Sequence, residues 1–331
     1  MRPIGLVELA RIAEVSVATA SRALANNPRV ALATRERLQR LGQEHGFRLN
    51  QAASLLRKQR TQAIGVVVPL GHETGQSLAD PFFVGLIGPL ADALSAAGYD
   101  LLLSRVIPDR DTWLDDLVDS GRVDGVIVIG QSNQLETIER VSARYRRIVV
   151  WGANVPHAEE VSVGTDNVAG GALAARHLMS VGRKRLAFVG NPVIPEFQAR
   201  YSGFRSAIAE FPDVTEIALN VHLTTERSYH EMAAFLDANP PPDGIFAASD
   251  VIAMSTIRAI TEFGMRVPQD VSVVGYDDVS IARHTAPPLT TIRQDVVHGA
   301  QLLVDLLIKR IAGEPAQSVM MLPELVVRGS A

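Results

Sequence analysis

The chain has 331 residues, 47% hydrophobic and 21% charged, which excludes a disordered or fibrous protein and allows two domains with a small third. It contains no cysteine, so disulfides, thiolate metal sites and a cysteine nucleophile are excluded together, and a reducing compartment suits it. The net charge of −4 is unevenly spread. Residues 1–62 carry eleven Arg or Lys against four Asp or Glu, a net of +7, and the rest carries 21 bases against 32 acids, a net of −11. A small basic head on a larger acidic body points to a polyanionic partner for the head. No apolar run approaches the ~20 residues of a bilayer span. Glu8 and Arg11 interrupt the N-terminal region where an export signal would be apolar, so a cytoplasmic protein with no membrane partner is expected.

In chain order, Leu6, Leu9, Ala10 and Ala13 recur at helical spacing. Ser16 is a good N-cap for a second helix from Val17 to Ala25, with Ala20, Ala23 and Leu24 facing inward, and Asn26-Asn27-Pro28 stops it. A third helix is predicted from Leu32 to Glu44, with Leu38 and Leu41 apolar and Gly46 beyond its end. Two helices joined by a tight turn and braced by a third make the DNA-binding helix-turn-helix arrangement. Residues 50–58 allow one short helix, marginal alone in water, and Lys58 to Gln62 reads as a polar linker.

From Ala63 the texture changes to short β-branched runs alternating with helical patterns. Strands are predicted at 64–68, 99–103, 125–129 and 147–151, separated by helices at 83–97, 113–120 and 135–144. The alternation restarts with helices at 169–180, 201–210, 228–238, 251–263 and 296–311 and strands at 185–189, 217–221, 244–247 and 271–276. Strands apolar on both faces imply parallel sheets covered by helices. The fold class is therefore α/β: two doubly wound lobes behind a helical head, with a ligand expected where the carboxyl ends of the strands meet.

The residues then resemble the lactose/galactose repressor (LacI/GalR) family. The head carries Leu6-Val7-Glu8-Leu9-Ala10, Val15-Ser16, Thr19, Ser21-Arg22, Thr34-Arg35-Glu36-Arg37 and Gly46-Phe47. The body carries Asp80-Pro81-Phe82-Phe83, Val123-Asp124-Gly125, Asp166-Asn167, Gly203-Phe204, Ser249-Asp250, Val273-Val274-Gly275-Tyr276-Asp277-Asp278 and Pro288-Leu289-Thr290-Thr291-Ile292. Each motif is weak alone, but the series runs in order over nearly the whole chain. The resemblance implies a homodimeric transcription factor whose headpiece reads a near-palindromic operator and whose core is periplasmic-binding-protein-like. The implied division is a headpiece over 1–49, a hinge helix and linker over 50–62, and a core over 63–331. Within the core, the N-terminal lobe would take about 63–163 and 295–322, and the C-terminal lobe about 164–292 and 323–331. The sequence departs from the family pattern in four places: Leu49 replaces a usual proline, Glu14 a frequent turn glycine, and Gly5 and Ala31 frequent capping hydroxyls. Each missing cap costs the headpiece about 0.5–1 kcal/mol.

A recognition helix puts its first residues on base edges in the major groove, which makes Val17, Ala18 and Arg22 the readers. Arg22 can bond bidentately to guanine, and Val17 and Ala18 can offer apolar contact to a thymine methyl. Ser16, Thr19 and Ser21 suit phosphate contact or capping. By resemblance, the segment with Asn50, Leu56 and Arg57 folds on the operator, and Leu56 matches a leucine that wedges into the minor groove; on the bare sequence Leu55 competes for that role.

Sugars are held by planar polar side chains against an aromatic face. The resemblance implies ligand contacts at Arg200 and Asp277, and near Asp166, Ser249 and Asp250, although helix capping would satisfy Asp166 and Asp250 equally well. Phe82, Phe83, Trp151 and Tyr276 are candidate stacking faces, with Trp151 preferred because it ends a strand at the cleft edge. Residues 223–226 lack the aromatic that some relatives carry, so a ligand bound in the lactose-repressor manner is not expected and a neutral sugar is, with a lean to glucosides or oligosaccharides.

The expected protein is a sugar-responsive repressor, with no cofactor, no metal and no catalytic residue. The alternatives are a solute-binding protein of sugar uptake, which needs a signal peptide and no basic head, and a co-repressor-dependent regulator with a non-sugar ligand. An enzyme is disfavoured because the sequence has no phosphate-binding glycine loop, Gly-x-Ser-x-Gly elbow or His-Glu-x-x-His. No leucine heptad follows the core, so a dimer is expected and a tetramer is not.

Overall fold

The computed structural model describes residues 4–47, 60–70, 75–108, 110–131, 133–153 and 159–331. The chain divides into two compact units, Met1–Thr61 and Gln62–Ala331.

The first unit contains α1 (Leu6–Ile12), α2 (Val17–Leu24) and α3 (Leu32–Glu44). Its core is Leu9, Ala10, Ala13, Ala20, Ala23, Val30 and Leu38, the residues whose helical spacing faces them inward, closed off by Leu24, Leu41 and Phe47. Small alanines at the contacts let three short helices approach closely. Ser16 caps α2, its Oγ accepting the Thr19 N–H at 3.1 Å, whereas Gly5 and Ala31 supply no side-chain cap to α1 and α3. The tight turn between α1 and α2 places Glu14 at φ +52°, left-handed backbone that L-residues adopt at a cost of about 1 kcal/mol. Glu14→Gly is therefore expected to stabilise the headpiece by about 0.5 kcal/mol or more, after the added freedom of the unfolded chain is subtracted. Thermal unfolding of the two proteins side by side measures it, and a lower midpoint for the glycine variant would mean that the Glu14 side chain contributes more than its backbone costs.

The second unit holds two six-stranded sheets. Its elements are β1 (Ala63–Pro69), α4 (Pro81–Ala96), β2 (Asp100–Val106), α5 (Trp113–Val118), β3 (Gly125–Ile129), α6 (Leu135–Arg144), β4 (Ile148–Trp151), β5 (Val161–Thr165), α7 (Asn167–Ser180), β6 (Arg185–Val189), α8 (Pro195–Ile208), β7 (Thr215–Leu219), α9 (Thr225–Ala238), β8 (Gly244–Ala247), α10 (Asp250–Glu262), β9 (Ser272–Asp277), a 3₁₀ turn (Ser280–His284), β10 (Thr290–Arg293), α11 (Val296–Ala312), β11 (Val319–Met321) and β12 (Glu324–Val326). The first sheet runs β11-β5-β4-β3-β1-β2 and the second β12-β10-β9-β8-β6-β7. Every pairing is parallel except β10 with β12. The central strands β3, β4, β8 and β9 are buried along their whole length; β3, β4 and β8 are unbroken apolar sequences, and β9 is apolar between Ser272 and Asp277.

Strand order reverses at β1 in the first sheet and at β6 in the second, so each lobe has a switch point with a crevice at its carboxyl edge. The chain passes between the lobes after β5, between β10 and α11, and between β11 and β12. The first passage comes two residues later than expected, because Gly164 and Thr165 still pair with Met320 and Met321 in the first sheet. Helix α8 begins at Pro195, six residues before the predicted Tyr201. Proline at the first helical position carries no N–H to leave unsatisfied, so it starts a helix and does not break one.

Candidate functional site

Where the carboxyl ends of the two sheets meet, the second unit contains a concave cleft open to solvent, the kind of place where small-molecule sites form. Pro69, Ile129, Trp151 and Thr165 end β1, β3, β4 and β5 on one wall, and Asp277 ends β9 on the other. Helices complete it: Asp80 and Phe82 from the start of α4, Asn167 from the start of α7, and Phe197 and Arg200 from the face that α8 turns to the cleft.

Arg200 organises the second wall. It is 5% exposed and sits mid-helix, not at a helix start as the sequence suggested, because α8 begins at Pro195. Its Nε donates to Asn167 Oδ1 at 2.8 Å and its Nη1 to the Ala248 carbonyl at 2.5 Å. The guanidinium lies 3.6 Å from the centroid of the Tyr276 ring, so cation and aromatic face are held together. Tyr276 is thereby sealed beneath Arg200 with no exposed surface, and it is not a stacking face for a ligand.

Asp277 lies beside Arg200, Oδ1 to Nη1 3.8 Å, and accepts a hydrogen bond from Gln294 Nε2 at 2.8 Å. Its φ of +116° is strained for any residue other than glycine. The strain is held from behind by Asp278, which accepts Arg328 Nη2 at 2.5 Å and Arg293 Nε at 2.8 Å and pins the strand end. Burial pushes the Asp277 carboxyl up to about 7, against the pull of Arg200 and Gln294. Asp250 is also pushed up, by burial and by the neighbouring Asp277.

A carboxyl that holds its proton more tightly folded than unfolded adds stability below its ordinary value of 3.8, and that stability is lost as pH rises through about 7. The core should therefore unfold at a higher temperature at pH 6 than at pH 8, and Asp277→Asn should shrink the difference. Scanning calorimetry at both pH values reads it. This window lies above the range where the arginine-paired carboxylates Asp115 and Asp270, both held at about 2, begin to protonate.

Of the eight ligand candidates, six line the cleft: Phe82, Phe83, Trp151, Arg200, Ser249 and Asp277. Asp166 and Asp250 do not. Asp166 caps α7, accepting the Ala169 N–H at 2.9 Å. Asp250 is fully buried, its oxygens taking the Thr291 hydroxyl at 2.5 Å and the Val279 N–H at 2.9 Å. Short-range capping absorbs the first carboxylate and a buried polar network the second. The Ser249 hydroxyl likewise caps α10 through the Ile252 N–H. Trp151 is 5% exposed and packs so closely on Gly299 that a Cβ there would come within 2.3 Å of the ring. It closes the cleft floor, and the half-buried Phe82, 6.2 Å from it centroid to centroid, offers the freer aromatic face.

Sequence reasoning missed Gln76, Asp80, Thr165, Asn167, Glu196, Phe197 and Gln294 as lining residues. Asp80 had a readable signal: Asp-Pro at a helix start, with Asp80 Oδ1 accepting the Phe82 N–H. Glu196 and Phe197 were lost with the misplaced start of α8.

In the first unit, Val17, Ala18 and Arg22 are exposed on α2. Arg22 Nε bonds the Ala18 carbonyl at 3.1 Å, which holds the side chain along its own helix, and its terminal nitrogens make no bond among the described residues. Ser16 and Thr19 are joined hydroxyl to hydroxyl at 2.8 Å at the start of α2, and Ser21 is half-buried. Asn50, Leu56 and Arg57 lie outside the described residues.

Residues 6–50 match the family described as bacterial regulatory proteins, lacI family, and residues 175–331 match the periplasmic binding protein-like domain. The HTH-type transcriptional regulator CelR of Thermobifida fusca is 31% identical, over 97% of this chain and 96% of its own. The chain belongs to the lacI family of bacterial regulatory proteins.

Three further similarities support that membership. The HTH-type transcriptional repressor PurR of Mannheimia succiniciproducens is 30% identical over 98% of this chain and 97% of its own. Among solved structures, a lac repressor dimer bound to operator and the anti-inducer ONPF superposes with a TM-score of 0.86 at 25% identity, covering 99% of each chain. A CelR–cellobiose complex gives 0.71 at 28% identity, covering 99% of this chain and all of that one. As a lacI-family member the chain is a DNA-binding transcriptional regulator and not an enzyme, which sets aside the uptake-protein alternative. No helix among the described residues is long and apolar enough to cross a membrane.

Proposed function

We propose that this regulator is a cytoplasmic homodimeric repressor of a sugar-utilisation operon, and that a small sugar in the interlobe cleft changes its operator affinity. In this reading residues 1–49 form the headpiece, 50–62 the hinge and linker, and 63–331 the effector core. The observation that carries the reading is the cleft itself: an aromatic face at Phe82 on one lobe and the Arg200–Asn167–Asp277 polar set on the other. That combination is the one a sugar ring requires, an apolar face to stack on and fixed polar groups for its hydroxyls. Similarity to CelR, whose complex contains cellobiose, favours the same class of ligand.

At the DNA end, Val17, Ala18 and Arg22 take the base-reading role, Ser16, Thr19 and Ser21 cap the helix or meet phosphate, and Asn50, Leu56 and Arg57 serve the minor groove. The +7 head, present twice in a dimer, makes operator binding strongly salt-dependent. Affinity should fall on the order of a thousandfold between 50 and 200 mM salt. Arg22→Ala should cost about 1–3 kcal/mol on the preferred site and flatten discrimination among operator variants. Fluorescence anisotropy on a selected and a scrambled duplex separates the two effects. Equal losses on both duplexes would reduce Arg22 to a phosphate contact.

The test of the function combines selection and thermal shift. A randomised duplex pool should yield a near-palindromic site bound by two chains. In a panel of cellobiose, maltose, glucose and ribose, at least one sugar should raise the unfolding temperature of the core, since a ligand at 100 times its Kd adds about 2.7 kcal/mol. An asymmetric site bound by one chain, or a panel without any shift, would contradict the reading.

A further inference from the structure

The first-sheet wall of the cleft contains two polar atoms that no described residue answers. Thr165, at the end of β5, is 4% exposed and Gln76, ahead of α4, is 9% exposed. Thr165 Oγ1 and Gln76 Oε1 are both buried without a hydrogen-bonding partner among the described residues, and both residues line the cleft. Each is fixed by its backbone. Thr165 pairs with Met321 in the sheet register, and the Gln76 carbonyl accepts Arg105 Nη2 at 3.5 Å. Buried polar side-chain atoms are paired in the large majority of cases, so two orphans on one cleft wall call for a ligand that answers them.

The chemistry of that ligand follows from the groups it must face. Gln76 Oε1 accepts only. Asp80, Glu196 and Asp277 add three carboxyl groups to the lining. Among the described lining residues the one cation is Arg200, whose guanidinium already serves Asn167, the Ala248 carbonyl and the Tyr276 face and has Asp277 at 3.8 Å. The lining therefore asks for hydrogen-bond donors and offers little unspent positive charge. A hydroxyl donates to an acceptor and accepts from the Thr165 hydroxyl at once, whereas a phosphate dianion only accepts and would face like charge.

We propose that Gln76 and Thr165 contact the effector and that together with the carboxyl groups they select a neutral polyhydroxyl compound over its phosphorylated form. The proposal rests on the reading of the cleft as the effector site and adds which residues of the first lobe read the ligand and which ligand forms they refuse.

The test is calorimetric titration of the full-length protein with glucose, ribose and cellobiose, and with glucose 6-phosphate, ribose 5-phosphate and cellobiose 6′-phosphate. The phosphate ester of whichever sugar binds should bind at least about a hundredfold more weakly. Thr165→Val keeps the β-branched shape of the strand and removes the hydroxyl, and should weaken the neutral sugar by up to about tenfold. Because Thr165 Oγ1 has no partner among the described residues to lose, the same variant should not lower the unfolding temperature without sugar. Gln76→Leu should act in the same direction. A phosphate ester binding as tightly as its parent sugar, or unchanged sugar affinity in both variants, would overturn the proposal and leave the cleft as an effector site. No binding by any of the six compounds would overturn the sugar-effector reading, and this proposal with it.

Discussion

Asp277→Asn should require between about tenfold and a hundredfold more sugar for half-maximal release of operator, while binding operator without sugar within about twofold of the parent protein. The side chain keeps its size, and asparagine is among the residues that best tolerate the positive φ at this position. It can still accept Gln294 Nε2. What it loses is the charged acceptor beside Arg200, and hydrogen bonds to ionised groups are about twice as strong as neutral ones. The pH profile separates this cause from misfolding. With the carboxyl pushed up to about 7, the parent protein should bind sugar about tenfold more weakly at pH 6 than at pH 8, whereas the asparagine variant should show no such dependence. Loss of operator binding without sugar would show that Asp277 supports the fold and does not serve the ligand.

Gly203→Ala should destabilise the core by about 3 kcal/mol or more and abolish the sugar response even where the protein still folds. The cause is a backbone approach that no rotamer can relieve. A Cβ at Gly203 would sit 1.9 Å from the Val168 carbonyl oxygen, and one at Gly171 1.8 Å from the Arg200 carbonyl oxygen, so α7 and α8 touch backbone to backbone on both sides. That contact sets the reach of Arg200 to Asn167 Oδ1 and to Ala248, on which the polar wall of the cleft depends. Calorimetric unfolding together with sugar titration reads both losses. An alanine variant with an unchanged unfolding temperature would mean that the helices move apart at little cost.

The parts of this structure legible from sequence were those fixed by local signals. The Ser16 cap, the Asn-Asn-Pro stop and the apolar spacing of Leu38 and Leu41 place α2 and α3 almost to the residue. Buried parallel strands such as β3 and β8 announce themselves as unbroken apolar runs. Strands β11 and β12 have three residues each and exist through their partners, so no periodicity could show them. Asp277 and Arg200 line the cleft because a strand end and a helix face converge there, and the family resemblance pointed to both. Asp250 misled for a physical reason: a carboxylate beside a strand end can turn inward as readily as outward, and this one answers Thr291 and Val279. Gln76, Thr165 and Gln294 belong to no motif. Thr165 reaches the cleft through the register of β5 against β11, a pairing of residues far apart in the chain, and Gln294 reaches it from the end of β10.

Occupancy of the interlobe cleft is expected to set operator affinity. The most direct measurement is the Kd for the selected near-palindromic duplex, by anisotropy at fixed salt, without sugar and with a saturating concentration of the sugar that stabilises the core. A ligand shifts such an equilibrium only by its difference in affinity for the two states, typically about 1–3 kcal/mol. Saturating sugar should weaken operator binding between about fivefold and a hundredfold, and Asp277→Asn should move the transition to higher sugar concentration. Operator affinity unchanged or tightened by a sugar that demonstrably binds the core would contradict this expectation.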